Sequence, residues 1–220
     1  MAESNGHFDT LNTYDAARFS FSLLYWAAHA PNDHFTLLLR DLLQLPNAKA
    51  YFPDLALKED FIYQHTQEYD VPLETQATTE PLMRYLNPTP EEVTVQELVN
   101  SAKFIHWSQN DPLHRDLQVD FAIRSVKKNL SQYNRLYKLD GVSDKACIVI
   151  ADIRHHGRAR SREIIEALDS NDPYTNLLKI RRDRFNERID TLQSAIEMLE
   201  KDGKLGINHY DAAKGIFVPK

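Results

Sequence analysis

The sequence predicts an all-α protein, mainly helical, with at most a small irregular or hairpin segment. Three observations lead there. Only 6 Gly and 10 Pro occur in 220 residues, about 7% where ~12% is usual, too few turn-formers for a sandwich or a loop-rich scaffold. Apolar residues recur at helical spacing over long stretches, and 42% of residues are hydrophobic, enough for a real core. The single cysteine, Cys147, excludes an intramolecular disulfide framework and a cysteine-based zinc site. A chain of this length suits one large domain or two small lobes around a cleft.

Taken in order, residues 1–15 are polar and turn-like. A buried helix is expected from about Ala16 or Ser20, because Leu23, Leu24, Trp26, Ala27 and Ala28 make the stretch apolar on nearly every side; Pro31 ends it. Asn32 or Asp33 can cap the next helix, with Phe35, Leu38, Leu39 and Leu42 on one stripe. Residues 53–94 carry Pro72, Pro81, Pro88 and Pro90 and read as an irregular connection with one short helix near Glu80–Leu86. Thr94 and Glu97 have capping-box spacing for a helix running to about Trp107.

Asp111-Pro112 opens the longest periodic segment, with Leu117, Phe121, Leu130, Tyr133 and Tyr137 inward and Gly141 as its stop. Ser143-Asp144 caps a helix over 145–156 with an apolar centre, in which Cys147 reads as an inert buried thiol. Helices over Ser161–Leu168 and from about Pro173 to Lys201 follow. A hairpin-like tail closes the chain.

The composition also excludes functions. No run reaches the ~18 apolar residues of a membrane span, and Met1 to Asp9 lacks the basic, apolar lead of a signal peptide. The compartment stays open. A net charge of −6 argues against general nucleic-acid binding. There is no Gly-rich phosphate loop, dinucleotide fingerprint or nucleophile elbow, and no cofactor is expected. Adjacent His155 and His156 point to different sides of a helix, and His29 and His34 straddle Pro31, so no metal site is expected.

Two segments put polar groups where apolar faces are interrupted. In the first, Glu3, Asp9 and Asp15 flank a turn-rich stretch, followed by Tyr14 and the hydroxyl of Ser20. Sugar hydrolysis needs one protonated acid and a second carboxylate; the competing reading makes the aspartates turn and cap residues. The second runs from Asp152 through Arg154, His155, His156, Arg158 and Arg160 to Arg162. It reads equally as an anion-recognising rim or as cations at a helix C-terminus. Arg181–Arg188 reads as a solvated helix face.

The stretch from Glu3 through Asn12-Thr-Tyr-Asp15 to Ser20-Phe-Ser22 resembles the catalytic segment of lysozyme-like glycoside hydrolases, chitosanase-like and peptidoglycan-cleaving domains above all. Gln118, the helix ending at Asp152-Ile-Arg-His-His156-Gly157 and the Arg181–Arg188 segment are similar to chitosanase helices. The resemblance implies one two-lobed helical domain over 1–220 with a central cleft, lobes 1–95 and 96–220. Glu3 would be the general acid, Asp15 the base or electrostatic partner, and Ser20 the hydroxyl that positions water. Asp9, Tyr14, Asp152, Arg154 and His156 would line the substrate. The partner would be a β-1,4-linked amino-sugar polymer. Peptidoglycan is preferred, since its carboxylates suit the Arg154–Arg162 cluster, and chitosan is second. Three departures stand out: Ser22 replaces the expected Gly, Tyr25 replaces a Gln, and the helix that should precede Glu3 has no residues here. An N-terminal segment or partner domain, or a catalytically degenerate binding protein, is the alternative these imply.

Overall fold

A computed structural model describes residues 6–220. The all-α, lysozyme-like helical expectation is corrected. The chain is 51% helical and 13% strand, with three small antiparallel sheets, a mixed though mainly helical architecture. It divides into two compact units, the boundary falling between Ile123 and Arg124.

In the first unit, the segment expected to be a buried helix is a three-stranded meander of β1 (Leu11–Asn12), β2 (Ser20–Phe21) and β3 (Trp26–Ala27). β2 is central, Asn12 facing Ser20 and Phe21 facing Trp26. Backbone dihedrals decide this. Arg18, Ser22 and Tyr25 have φ of +58°, +89° and +59°, and a right-handed helix tolerates no positive φ. The segment is apolar all round because Phe19, Phe21, Trp26 and Ala28 are all buried in the unit's core. α1 (His34–Leu42) follows with Phe35, Leu38, Leu39 and Leu42 inward, then the short α2 (Ala48–Tyr51).

The supposed irregular connection contains a second sheet, β4 (Leu55–Lys58), β5 (Phe61–His65) and β6 (Asp70–Pro72). Lys58 pairs with Phe61 across a two-residue turn, Glu59-Asp60, with both residues at positive φ. That is the backbone of a primed hairpin turn, normally signalled by Asn-Gly or Asp-Gly; Glu-Asp hid it. A buried ion pair ties this sheet to α1. Arg40 Nε and Nη2 donate to the two oxygens of Glu74 at 2.8 and 2.9 Å, and Glu74 also accepts from the Ile62 N–H.

α3 (Glu80–Leu86) and α4 (Val95–Asn110) form as their signals predict, and Thr94 and Glu97 make the reciprocal capping box. Phe19, Phe35, Phe52, Phe104 and Trp107 fill the core, their rings tilted or edge-on at 4.9 to 6.2 Å. α5 (Pro112–Tyr137) contains the unit boundary. At its start, Asp111 accepts from Trp107 Nε1, the Asn47 amide and the Leu113 N–H.

The second unit packs α6 (Asp144–His155), α7 (Ser161–Leu168), α8 (Pro173–Lys179) and α9 (Arg182–Lys201) around Val149, Ile150, Ile153, Ile164, Leu177 and Ile189. Cys147 lies in this core, where burial pushes its thiol up to about 12. The single long helix expected from Pro173 to Lys201 is two helices, because Arg181 sits at φ +54°. The tail is a hairpin of β7 (Asn208–Asp211) and β8 (Ile216–Pro219). Buried Asp144 anchors it by accepting from the Gly206 and Asn208 N–H groups. No helix among the described residues is long and apolar enough to cross a membrane.

Candidate functional site

The loop joining β1 to β2 carries most of the first candidate site. Its framework is Asn12, buried in β1. The Asn12 side chain accepts from the Tyr14 N–H and donates to Asp15 Oδ2, both at 2.9 Å. Asp15 Oδ1 accepts from the Ala17 N–H at 2.9 Å. Each carboxylate oxygen of Asp15 therefore has one fixed donor and spare lone-pair capacity, and the residue is half-buried. A carboxylate held this way has a set direction, and no cation among the described residues pairs with it.

Two side chains from elsewhere clamp this loop. Asn87, just past α3, donates from Nδ2 to the carbonyls of Thr13 and Arg18 at 2.8 and 3.1 Å. Gln118 on α5 is completely buried. Its Oε1 accepts from the Leu23 N–H at 3.3 Å, and its Nε2 donates to the Phe8 carbonyl at 2.9 Å. Asn87 had no signal in the sequence, since its role comes from contacts 69 and 74 residues away.

The other residues of the segment are distributed less favourably for chemistry. Glu3 lies outside the described residues. Asp9 accepts from Gln109 Nε2 at 2.7 Å. Tyr14 projects outward, 72% exposed. Ser20 is buried within the paired strand β2. Ser22 is fully buried at positive φ, and its hydroxyl has no hydrogen-bond partner among the described residues. The backbone at this position is one that favours glycine.

Beside this loop, His114 is also fully buried, among the rings of Phe21 and Trp107. Its Nδ1 lies 3.1 Å from Gln118 Nε2, and its Nε2 has no partner among the described residues. Burial pushes its pKa down to about 4, so the imidazole is neutral at pH 7.

In the second unit, the cluster at the end of α6 is organised around Asp152. Arg158 donates to Oδ2 from Nε and Nη2 at 3.1 and 2.7 Å. Arg188, from α9, donates to Oδ1 from Nε and Nη2 at 2.9 and 2.6 Å. His156 Nε2 stands 3.9 Å from Oδ1. Asp152 is thereby saturated by two guanidinium forks, and its side chain is 8% exposed. Arg158, itself fully buried, completes its bonding on the Ile180 carbonyl. Arg154 turns away to lie over the Tyr133 ring at 6.0 Å. The cluster thus binds α6 to α9 internally. The sequence groups Asp152 with its neighbours, but the contribution of Arg188, 36 positions on, has no local signature.

No group of three or more His, Cys, Asp or Glu among the described residues is arranged to hold a metal ion. The chain matches no protein-family model, no curated protein and no solved structure.

Proposed function

We propose that the chain is a glycoside hydrolase acting on a β-1,4-linked amino-sugar polymer. The observation that supports this reading is the carboxylate of Asp15, fixed by Asn12 and the Ala17 N–H on a hairpin loop yet paired with no cation among the described residues. That is the equipment of the second carboxylate in glycoside hydrolysis, which takes a proton from water or stabilises positive charge on the sugar ring. In the reaction, Glu3 protonates the leaving glycosidic oxygen and Asp15 takes a proton from the attacking water. The water oxygen bonds to the anomeric carbon as the carbon–oxygen bond to the leaving sugar breaks.

A second reading, a sugar-binding protein without catalysis, is favoured by Ser20, whose burial in β2 withholds its hydroxyl from a bound water. Digestion of purified peptidoglycan sacculi and of chitosan, read by mass spectrometry, separates the two. New reducing ends released by wild type and lost in Asp15→Asn and Glu3→Gln support hydrolysis. Binding of either polymer with no cleavage, unchanged in Asp15→Asn, supports the second reading. Neither cleavage nor binding ends both.

A further inference from the structure

Arg158 and three further arginines gather at a cavity in the second unit. It has a volume of about 270 Å³ and is lined by Arg158, Arg160, Arg181 and Arg184, with Phe185 and the Gly157 backbone completing the wall. No carboxylate lines it. Two of its four arginines already meet a carboxylate. Asp152 is shared by Arg158 and Arg188, and Glu163 pairs with Arg181 at 3.2 Å. Neither Arg160 nor Arg184 forms an ion pair among the described residues, and both are exposed.

The local backbone assembles these cations. Gly157, at φ +60°, turns the chain out of α6 and brings Arg158 and Arg160 to the cavity. Arg181, at φ +54°, breaks the helix before α9 and brings Arg181 and Arg184 to the same wall. Phe185, at φ −128° and ψ 30°, kinks α9 directly after Arg184.

The geometry points to a binding site for a phosphate monoester at this cavity. Two guanidinium groups in a small volume, neither in an ion pair among the described residues, favour a compact dianion over a single carboxylate. A phosphate monoester carries about −1.5 to −2 at pH 7 and offers three strong acceptor oxygens. Guanidinium forks match those oxygens with paired N–H donors. The volume exceeds a phosphoryl group alone, leaving room for part of the ester, and the half-buried Phe185 ring gives that part an apolar surface. The site uses neither Glu3 nor Asp15, the two carboxylates of the glycosidase reading.

Titration calorimetry at low ionic strength tests it with three probes: inorganic phosphate, glucose 6-phosphate and succinate. Saturable one-site binding of both phosphates is expected, with succinate weaker. Arg160→Gln and Arg184→Gln should each weaken phosphate binding about tenfold, as loss of a charge-assisted pair does. Arg162→Gln removes the same charge from a residue that pairs with Glu166 and does not line the cavity, and should leave affinity unchanged. Absence of saturable phosphate binding overturns the proposal. So does equal weakening by Arg162→Gln, which marks a diffuse charge effect, or succinate binding as tight as phosphate, which marks a carboxylate site. All three substitutions are at exposed positions, so circular dichroism matching wild type keeps the comparison valid.

Discussion

Replacing Ser22 with glycine should stabilise the protein. Two penalties meet at this residue. Its φ of +89° lies where an L side chain is strained, a cost of about 1–2 kcal/mol for the left-handed region. Its hydroxyl is fully buried without a partner among the described residues, which costs about 1–3 kcal/mol in lost hydration. Glycine removes both. Against this stand about 0.5–1 kcal/mol of extra chain entropy in the unfolded state and the packing of one lost Cβ. The net expectation for Ser22→Gly is a gain of about 1–2 kcal/mol, or roughly 2–8 °C in Tm at 2–4 °C per kcal/mol for a chain of this size. Ser22→Ala removes the hydroxyl and keeps the strained dihedral, so it should gain less than Ser22→Gly. Urea unfolding followed by tryptophan fluorescence reads both, since Trp26 and Trp107 lie in the same core. A Ser22→Gly protein less stable than wild type would falsify the reasoning. A loss in Ser22→Ala would show that the hydroxyl is satisfied after all.

Two further outcomes are expected. The folded-state pKa of His114, depressed to about 4 from 6.5 by burial, means the unfolded chain binds more protons between those values. Stability should therefore be full above pH 6.5 and fall by about 3 kcal/mol as pH drops through 4. Urea midpoints across this range should show a shallower fall in His114→Gln, and an unchanged profile would remove His114 as the cause. Asp152→Asn strips the anion from two arginines, one fully buried, and should cost about 3–5 kcal/mol. Adding Arg158→Met to Asp152→Asn should restore part of that loss in thermal unfolding; no recovery would mean the aspartate acts other than by neutralising Arg158.

What local sequence specifies about this protein, it specifies well. The capping box at Thr94 and Glu97, the Ser143 cap, the Pro112 start, and the helices Glu80–Leu86 and Ser161–Leu168 all rest on interactions within a turn or two of chain. Such signals need only neighbours, so they survive being read in isolation. The stripe of α1 and the closing hairpin are legible for the same reason.

Tertiary structure decided the rest, through contacts and dihedrals that no short window carries. Phe19 to Ala28 has the composition of a buried helix, yet becomes a meander because Arg18, Ser22 and Tyr25 take positive φ and Gln118 supplies the Leu23 N–H with a partner 95 positions away. The sheet of β4 to β6 turns on Glu59-Asp60, a pair without the usual turn chemistry, and is locked by Arg40 reaching Glu74. In the candidate sites, Asp9 and Asp15 were visible as carboxylates near turns, but the fixing of Asp15 by Asn12 and the saturation of Asp152 by Arg158 and Arg188 were not. Residue type announces which chemistry a side chain can do. Whether its charge is spent inside the fold or left for a ligand depends on partners that only folding brings within hydrogen-bond range.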